Sequence, residues 1–213
     1  MNRLLKKLTS TLAVVTLTLF SFANLSKAQC PDASGPAPDP AVIPWVGGYS
    51  TYQQIGTTGC WVTIDYCERT LADGSVQVWI EDVIPDAGGP CDGLSNDAII
   101  RAACDLVDND LNVNGGVICL KGGVRVVHVY TARCWSLNRN PSPIGNQGPY
   151  GLNPCMVTSW CSKTCEVCAD NFPPHMIHLS NCTYTDLNVG VVCPAPPGIW
   201  PENTCFTIGC PNQ

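Results

Sequence analysis

Histidine is scarce in this chain, with three residues in 213 (His128, His175 and His178), and no Gly-x-Ser-x-Gly turn presents a nucleophilic serine. The supply of general bases is therefore thin, and no catalytic set can be assigned from sequence. Phenylalanine is rare too, four residues against 18 Pro and 19 Gly, so bulky aromatics cannot fill a large core. Basic residues number eleven, and four of them (Arg3, Lys6, Lys7 and Lys27) lie in the first 28 positions, where there is no Asp or Glu. Beyond that point seven bases face seventeen acids, a net charge of −10. So acidic a surface excludes nucleic acid and anionic membranes as natural partners, because both need basic patches. It remains compatible with cations, glycans and other proteins.

Long apolar runs are also missing. The uncharged stretch 12–22 covers eleven residues, well short of the roughly 20 that span a bilayer as a helix. Preceded by Arg3, Lys6 and Lys7 and followed by Ser26-Lys27-Ala28, it predicts a secretory signal peptide over 1–28, cut after Ala28. The mature chain of about 185 residues is then expected to have no membrane span and to be secreted, extracellular or periplasmic.

Cysteine, by contrast, is abundant: Cys30, Cys60, Cys67, Cys91, Cys104, Cys119, Cys134, Cys155, Cys161, Cys165, Cys168, Cys182, Cys193, Cys205 and Cys210. In an exported chain this density predicts a disulfide framework of up to seven bridges. Each bridge contributes about 2–4 kcal/mol, mainly by restricting the unfolded chain, and so replaces part of the core. An odd number leaves one Cys over, as a buried thiol, a reactive group or a link for self-association.

The Pro, Ala and Asp stretch of 29–42 reads as an extended arm, and 43–213 as a single disulfide-rich domain in which 155–213 is a candidate Cys-rich subdomain. Segments 61–69 and 75–83 alternate in polarity around Asp73-Gly74, which predicts a hairpin. If Arg69 pairs with Ser75, one face collects Val62, Ile64, Tyr66, Val76, Val78 and Ile80 for burial. A short helix is expected next, capped by Ser95 or Asn96, with Ile99, Ala102, Ala103 and Leu106 on one face. Runs 117–120 and 124–131 predict a second hairpin through Lys121-Gly122-Gly123, while 136–154 reads as loop and 156–160, 189–192 and 205–208 as short strand pieces. The expected fold class is α+β or mainly β: a small disulfide-rich domain with antiparallel hairpins and one short helix.

Several constellations could bind or react. The polar hairpin face would carry Trp61, Asp65, Gln77, Trp79 and Glu81, indoles able to stack on a sugar beside groups that bond its hydroxyls. Asp108, Asp110, Asn112 and Asn114 offer alternate oxygen ligands as in a calcium loop, although Val113 and Cys119 stand where an EF-hand needs Gly and Glu. Cys161, Cys165 and Cys168, followed by His175 and His178, have donor types suited to zinc, yet disulfides fit this setting better. His128 lies on an apolar strand face and reads as a core histidine. A carboxylate pair for glycoside cleavage could come from Asp65, Glu68, Glu81 and Asp82, but strict alternation separates Glu68 and Asp82 from the other two. The triplet Asn181-Cys182-Thr183 fits a glycosylation sequon. Together these features point to a secreted or cell-surface binding or structural protein, with a glycan or protein partner or self-association through the odd Cys. A polysaccharide hydrolase and a calcium- or zinc-binding extracytoplasmic protein are the alternatives; no other cofactor is expected.

Overall fold

The computed structural model describes residues 30, 43–87, 89–110, 117–119, 122–139, 150–173, 176–186, 192–193 and 205–210. The expected signal peptide over 1–28, most of the expected 29–42 arm, Asn112, Asn114, His175 and most of the expected 189–192 strand piece lie outside the described residues. The described residues build one mainly antiparallel sheet of seven strands and one α-helix. The strands are β1 (Val46–Gln54), β2 (Trp61–Thr70), β3 (Val76–Pro85), β4 (Arg125–Arg139), β5 (Tyr150–Ala169), β6 (Ile177–Asp186) and β7 (Phe206–Thr207), and the helix is α1 (Asn96–Leu106). Strands β1 to β6 lie side by side in chain order, and β7 pairs with β4.

The β2–β3 hairpin forms where alternation predicts it. Asp73 Oδ1 accepts from both the backbone N–H and the hydroxyl of Ser75, and Gly74 takes the positive φ of 84° that the turn requires. Arg69 pairs with Gln77 rather than with Ser75. That two-residue shift matches the side-chain period, so the faces survive: Val62, Ile64, Tyr66, Val76, Val78 and Ile80 are all buried. β1 was not anticipated, because an edge strand reading VGGYSTYQQ has no apolar face to reveal it.

From β3 the chain crosses through α1 into β4, which runs parallel to β3. Ser95 caps the helix by accepting from the Ala98 N–H at 3.2 Å. Ile99 and Ala103 are buried as expected, joined by Ile100 and Cys104, while Ala102 and Leu106 are only half-buried. Among the described residues, 117–119 and 124–131 do not pair with each other as the expected second hairpin would. Ile118 instead bridges in parallel to Ala169 at the end of β5, where the Cys119–Cys168 disulfide holds it. The described ends of the predicted 136–154 loop are strand: β4 runs on to Arg139, β5 begins at Tyr150, and the two pair as a hairpin, while 140–149 lie outside the described residues. Bulges around Cys134 bend that hairpin, so Leu152 pairs with both Leu137 of β4 and Val83 of β3. Within 155–213 the described strands β5, β6 and β7 belong to this same sheet.

Fourteen cysteines form seven bridges: Cys30–Cys67, Cys60–Cys91, Cys119–Cys168, Cys134–Cys193, Cys155–Cys205, Cys161–Cys210 and Cys165–Cys182. The odd residue is Cys104, in α1 and 3% exposed. Burial pushes its thiol up to about 12, against a smaller downward pull from the Thr131 hydrogen bond. A neutral, enclosed thiol is a poor nucleophile. Beside it Lys163 of β5 is clamped by Asp108 at 2.5 Å and Asp105 at 2.9 Å. Burial opposes the ammonium, but the Asp108 carboxylate outweighs it and holds the Lys163 pKa above its usual value.

Two outcomes follow for the purified protein. Mass spectrometry after alkylation should show no label on the native chain and one per chain, on Cys104, after unfolding without reductant. Lys163→Met should destabilise the fold by about 3–5 kcal/mol in urea titration at neutral pH, because it strands the buried Asp108 carboxylate.

Candidate carboxylate and aromatic site

The β2–β3 ladder contains one irregularity that matters for chemistry. Tyr66 pairs with Ile80 and Asp65 with Asp82, so Glu81 is an extra residue, a β-bulge. Past the bulge the alternation of β3 is inverted. Asp82, expected on the apolar face, comes to lie opposite Asp65, and the charges of Asp65 and Asp82 both act on Glu81. Strict period-two reading could not find this, because nothing in Trp79-Ile80-Glu81-Asp82-Val83 announces a bulge. Glu68 stays on the opposite face, beside Tyr49.

The bent β4–β5 hairpin completes the site by bringing Gly151 and Asn153 against Asp82. Glu81 is only 7% exposed, and neither of its carboxylate oxygens has a hydrogen-bond partner. Asp82 Oδ1 and Asn153 Oδ1 are likewise buried and unpartnered. Burial, then the Asp65 and Asp82 charges, push Glu81 up to about 7. Asp82 is raised to about 6 by burial and Asp65, against hydrogen bonds from Asn153 and the Val83 backbone.

Of the other residues expected on this face, Trp79 and Gln77 are core, 2% and 3% exposed. Gln77 accepts from Arg69 Nε at 2.7 Å and donates to the Tyr130 hydroxyl at 3.4 Å, and the Arg69 guanidinium lies 4.4 Å from the Trp45 ring centroid. This polar network, with the Cys30–Cys67 bridge beside it, covers the part of the face around β3. Trp61 remains exposed at the end of β2, and Tyr52 from β1, unsuspected from sequence, stacks on it at 5.0 Å between centroids. The Tyr52 hydroxyl donates to Asp86 Oδ2 at 2.6 Å, which fixes the ring. Trp61, Thr63 and Asp65 share one face of β2 by alternation, so this platform and the carboxylates occupy one strip, separated by roughly 13 Å of strand rise.

The other sequence candidates take structural roles. Asp108, the first of the 108–114 calcium candidates, is buried and bonded to Lys163. Its neighbour Asp110 follows the short 3-10 turn Val107–Asn109. Cys161, Cys165 and Cys168 are all in disulfides and have no thiolate to give zinc, while His178 contacts Asp170 at 2.9 Å. His128 Nδ1 lies 2.9 Å from Thr164 Oγ1, a satisfied half-buried histidine. Asn181 is exposed, adopts φ 50° and donates to Glu166 Oε2 at 2.7 Å.

No protein-family model matches the chain, and neither the curated proteins nor the solved structures contain a significant match to it.

The raised carboxylates give a pH dependence with a defined sign. Glu81 and Asp82 bind protons more tightly when folded (about 7 and 6) than at their ordinary 4.5 and 3.8. Their ionisation therefore opposes folding: the penalty is absent below about pH 4, grows as pH rises, and is complete above about pH 7. In metal-free buffer, Glu81→Gln should raise the urea midpoint relative to the parent at pH 8 and leave it unchanged at pH 4.

Proposed function

We propose that the chain is a secreted, extracytoplasmic binding protein that presents the Tyr52–Trp61 platform to a neutral carbohydrate. The seven bridges fit an oxidising location and resistance to proteolysis. The observation that carries the reading is the exposed aromatic stack: Tyr52 is 55% and Trp61 39% exposed, although both rings would gain by burial. An indole beside a phenol offers a flat apolar surface to the C–H face of a sugar ring. Thr63 and Asp86 beside it supply a hydroxyl and a carboxylate to bond the ring's hydroxyls. The acidity of the strip favours neutral sugars over uronates or sulfated glycans.

A hydrolase is the second reading, favoured by the three carboxylates on the platform's own face. Turnover of a bound oligosaccharide, abolished in Glu81→Gln, would identify it.

A glycan array on the disulfide-bonded protein, followed by calorimetry on the best hit, tests the binding reading. Trp61→Ala and Tyr52→Ala should each weaken binding about tenfold or more, as central aromatic anchors do, with unchanged melting temperature. Absence of glycan binding, or binding indifferent to both substitutions, would overturn it.

A further inference from the structure

We propose that the Lys163 and Asp108 side chains condense to an amide, an isopeptide cross-link between β5 and the turn that follows α1, with Asp105 moving the protons. This goes beyond the carbohydrate reading and does not depend on it. Lys163 Nζ lies 2.5 Å from Asp108 Oδ2 and 2.9 Å from Asp105 Oδ1. The first distance is shorter than the roughly 2.7–2.9 Å usual between a charged N–H and a carboxylate. It sets the nitrogen roughly 3–3.5 Å from the carboxyl carbon, the separation of groups poised to react. The two residues stand 55 positions apart in sequence, so the fold alone brings them together.

Three features distinguish this contact from an ordinary ion pair. The first is enclosure: the Lys163 and Asp108 side chains are both buried, the charges acting on Asp108 are those of Lys163 and Asp105, and the Cys104 thiol beside them is neutral. The second is an orphaned atom. Asp108 Oδ1 is buried and has no donor, whereas a buried ion pair is stable only when its remaining lone pairs are answered. An amide removes one of the two oxygens and both charges. The third is the second acid on the same nitrogen. The Asp105 side chain is more than half exposed, so it touches both the amine and solvent.

The condensation balances without any further reagent. Both acids hold Lys163 as an ammonium, and the step begins when one of its protons passes along the hydrogen bond to Asp108. Burial, which raises that carboxyl to about 6 against the pull of the Lys163 charge, favours the neutral acid. The freed amine attacks the Asp108 carboxyl carbon and forms the C–N bond. Asp105 takes a proton from the nitrogen and gives it to the hydroxyl on the tetrahedral carbon, the C–O bond breaks, and water leaves. Ammonium and carboxylate thus become amide and one water, with no change of oxidation state, and an interior that disfavours charge drives the exchange. The product is a staple that reductant cannot open, on the strand that four disulfides already hold.

The test is the intact mass of the full exported chain after complete reduction and alkylation. The parent should be lighter by one water than its sequence and label count require. Trypsin should leave the bond after Lys163 uncut and yield a branched peptide whose fragmentation places the link at Asp108. Lys163→Arg keeps a positive charge between the two acids but cannot condense; it should show the full mass with the parent's circular dichroism spectrum. Asp108→Ala should also show the full mass. In Asp105→Asn the link should appear about a hundredfold more slowly, as on loss of a general acid–base, with the spectrum unchanged, an effect that a merely structural contact would not produce. The parent's mass needs no variant, so it decides the question even if a substitution fails to fold. Full mass in the parent, a link that persists in Lys163→Arg, or a link placed at Asp105 would overturn the proposal, and formation at the parent's rate in Asp105→Asn would overturn the part given to Asp105.

Discussion

The covalent anchoring of β5 is the constraint on which the rest of this molecule depends. Four of its residues, Cys155, Cys161, Cys165 and Cys168, are bonded to Cys205, Cys210, Cys182 and Cys119, so one strand is tied to the segment before β4, to β6 and to the carboxyl-terminal stretch. β5 lies between β4 and β6 and touches β3 at Leu152. With so few phenylalanines, the sheet has a modest store of apolar burial from which to enforce its bends. Bridges provide the enforcement by removing alternatives from the unfolded chain.

Because the scaffold is held in this way, its two faces can be treated differently. The face beneath α1 is apolar, closed by Ile99, Ile100 and Ala103, with the buried Lys163 neutralised by Asp105 and the equally buried Asp108 at the end of the helix. Covalent tethering through β5 keeps that Lys opposite its partners. On the other face the side chains are polar yet enclosed: Arg69, Gln77 and Tyr130 satisfy one another beneath Trp45. The carboxylate cluster sits at the margin of that network, where satisfaction runs out and Glu81, Asp82 and Asn153 are left with unanswered oxygens. Local strain of this kind persists only where the surrounding structure over-determines it, and it concentrates at working sites.

The aromatic platform and the carboxylates are complementary in what they can recognise. Tyr52 and Trp61 offer area and little direction; the acids offer direction and charge. Placed along one strand, they form one strip of that face. The chain's negative balance acts on the whole strip, drawing cations toward it and turning anionic polymers away.

Much of this was legible in the sequence, and the parts that were not share a cause. The disulfide-rich class, the β2–β3 hairpin with its buried face, and the Ser95-capped helix followed from composition, period and capping, which are local properties. Trp61 and Asp65 share one face for the same reason, since β2 alternates in burial between them. The pairing of fourteen cysteines, the identity of Cys104 as the odd one, and the inward turn of Asp108 onto Lys163 depend on residues distant in sequence. So does the partner of Trp61, which comes from an edge strand without an apolar pattern. The decisive case is Glu81. Alternation assigned Asp82 to the apolar face, and only the pairing of β3 with β2, which leaves one residue over, carried it across to Asp65. A sequence determines which faces a strand would have if it were regular. Where the strand departs from regularity is decided by the neighbours it must fit, and here that departure made the site.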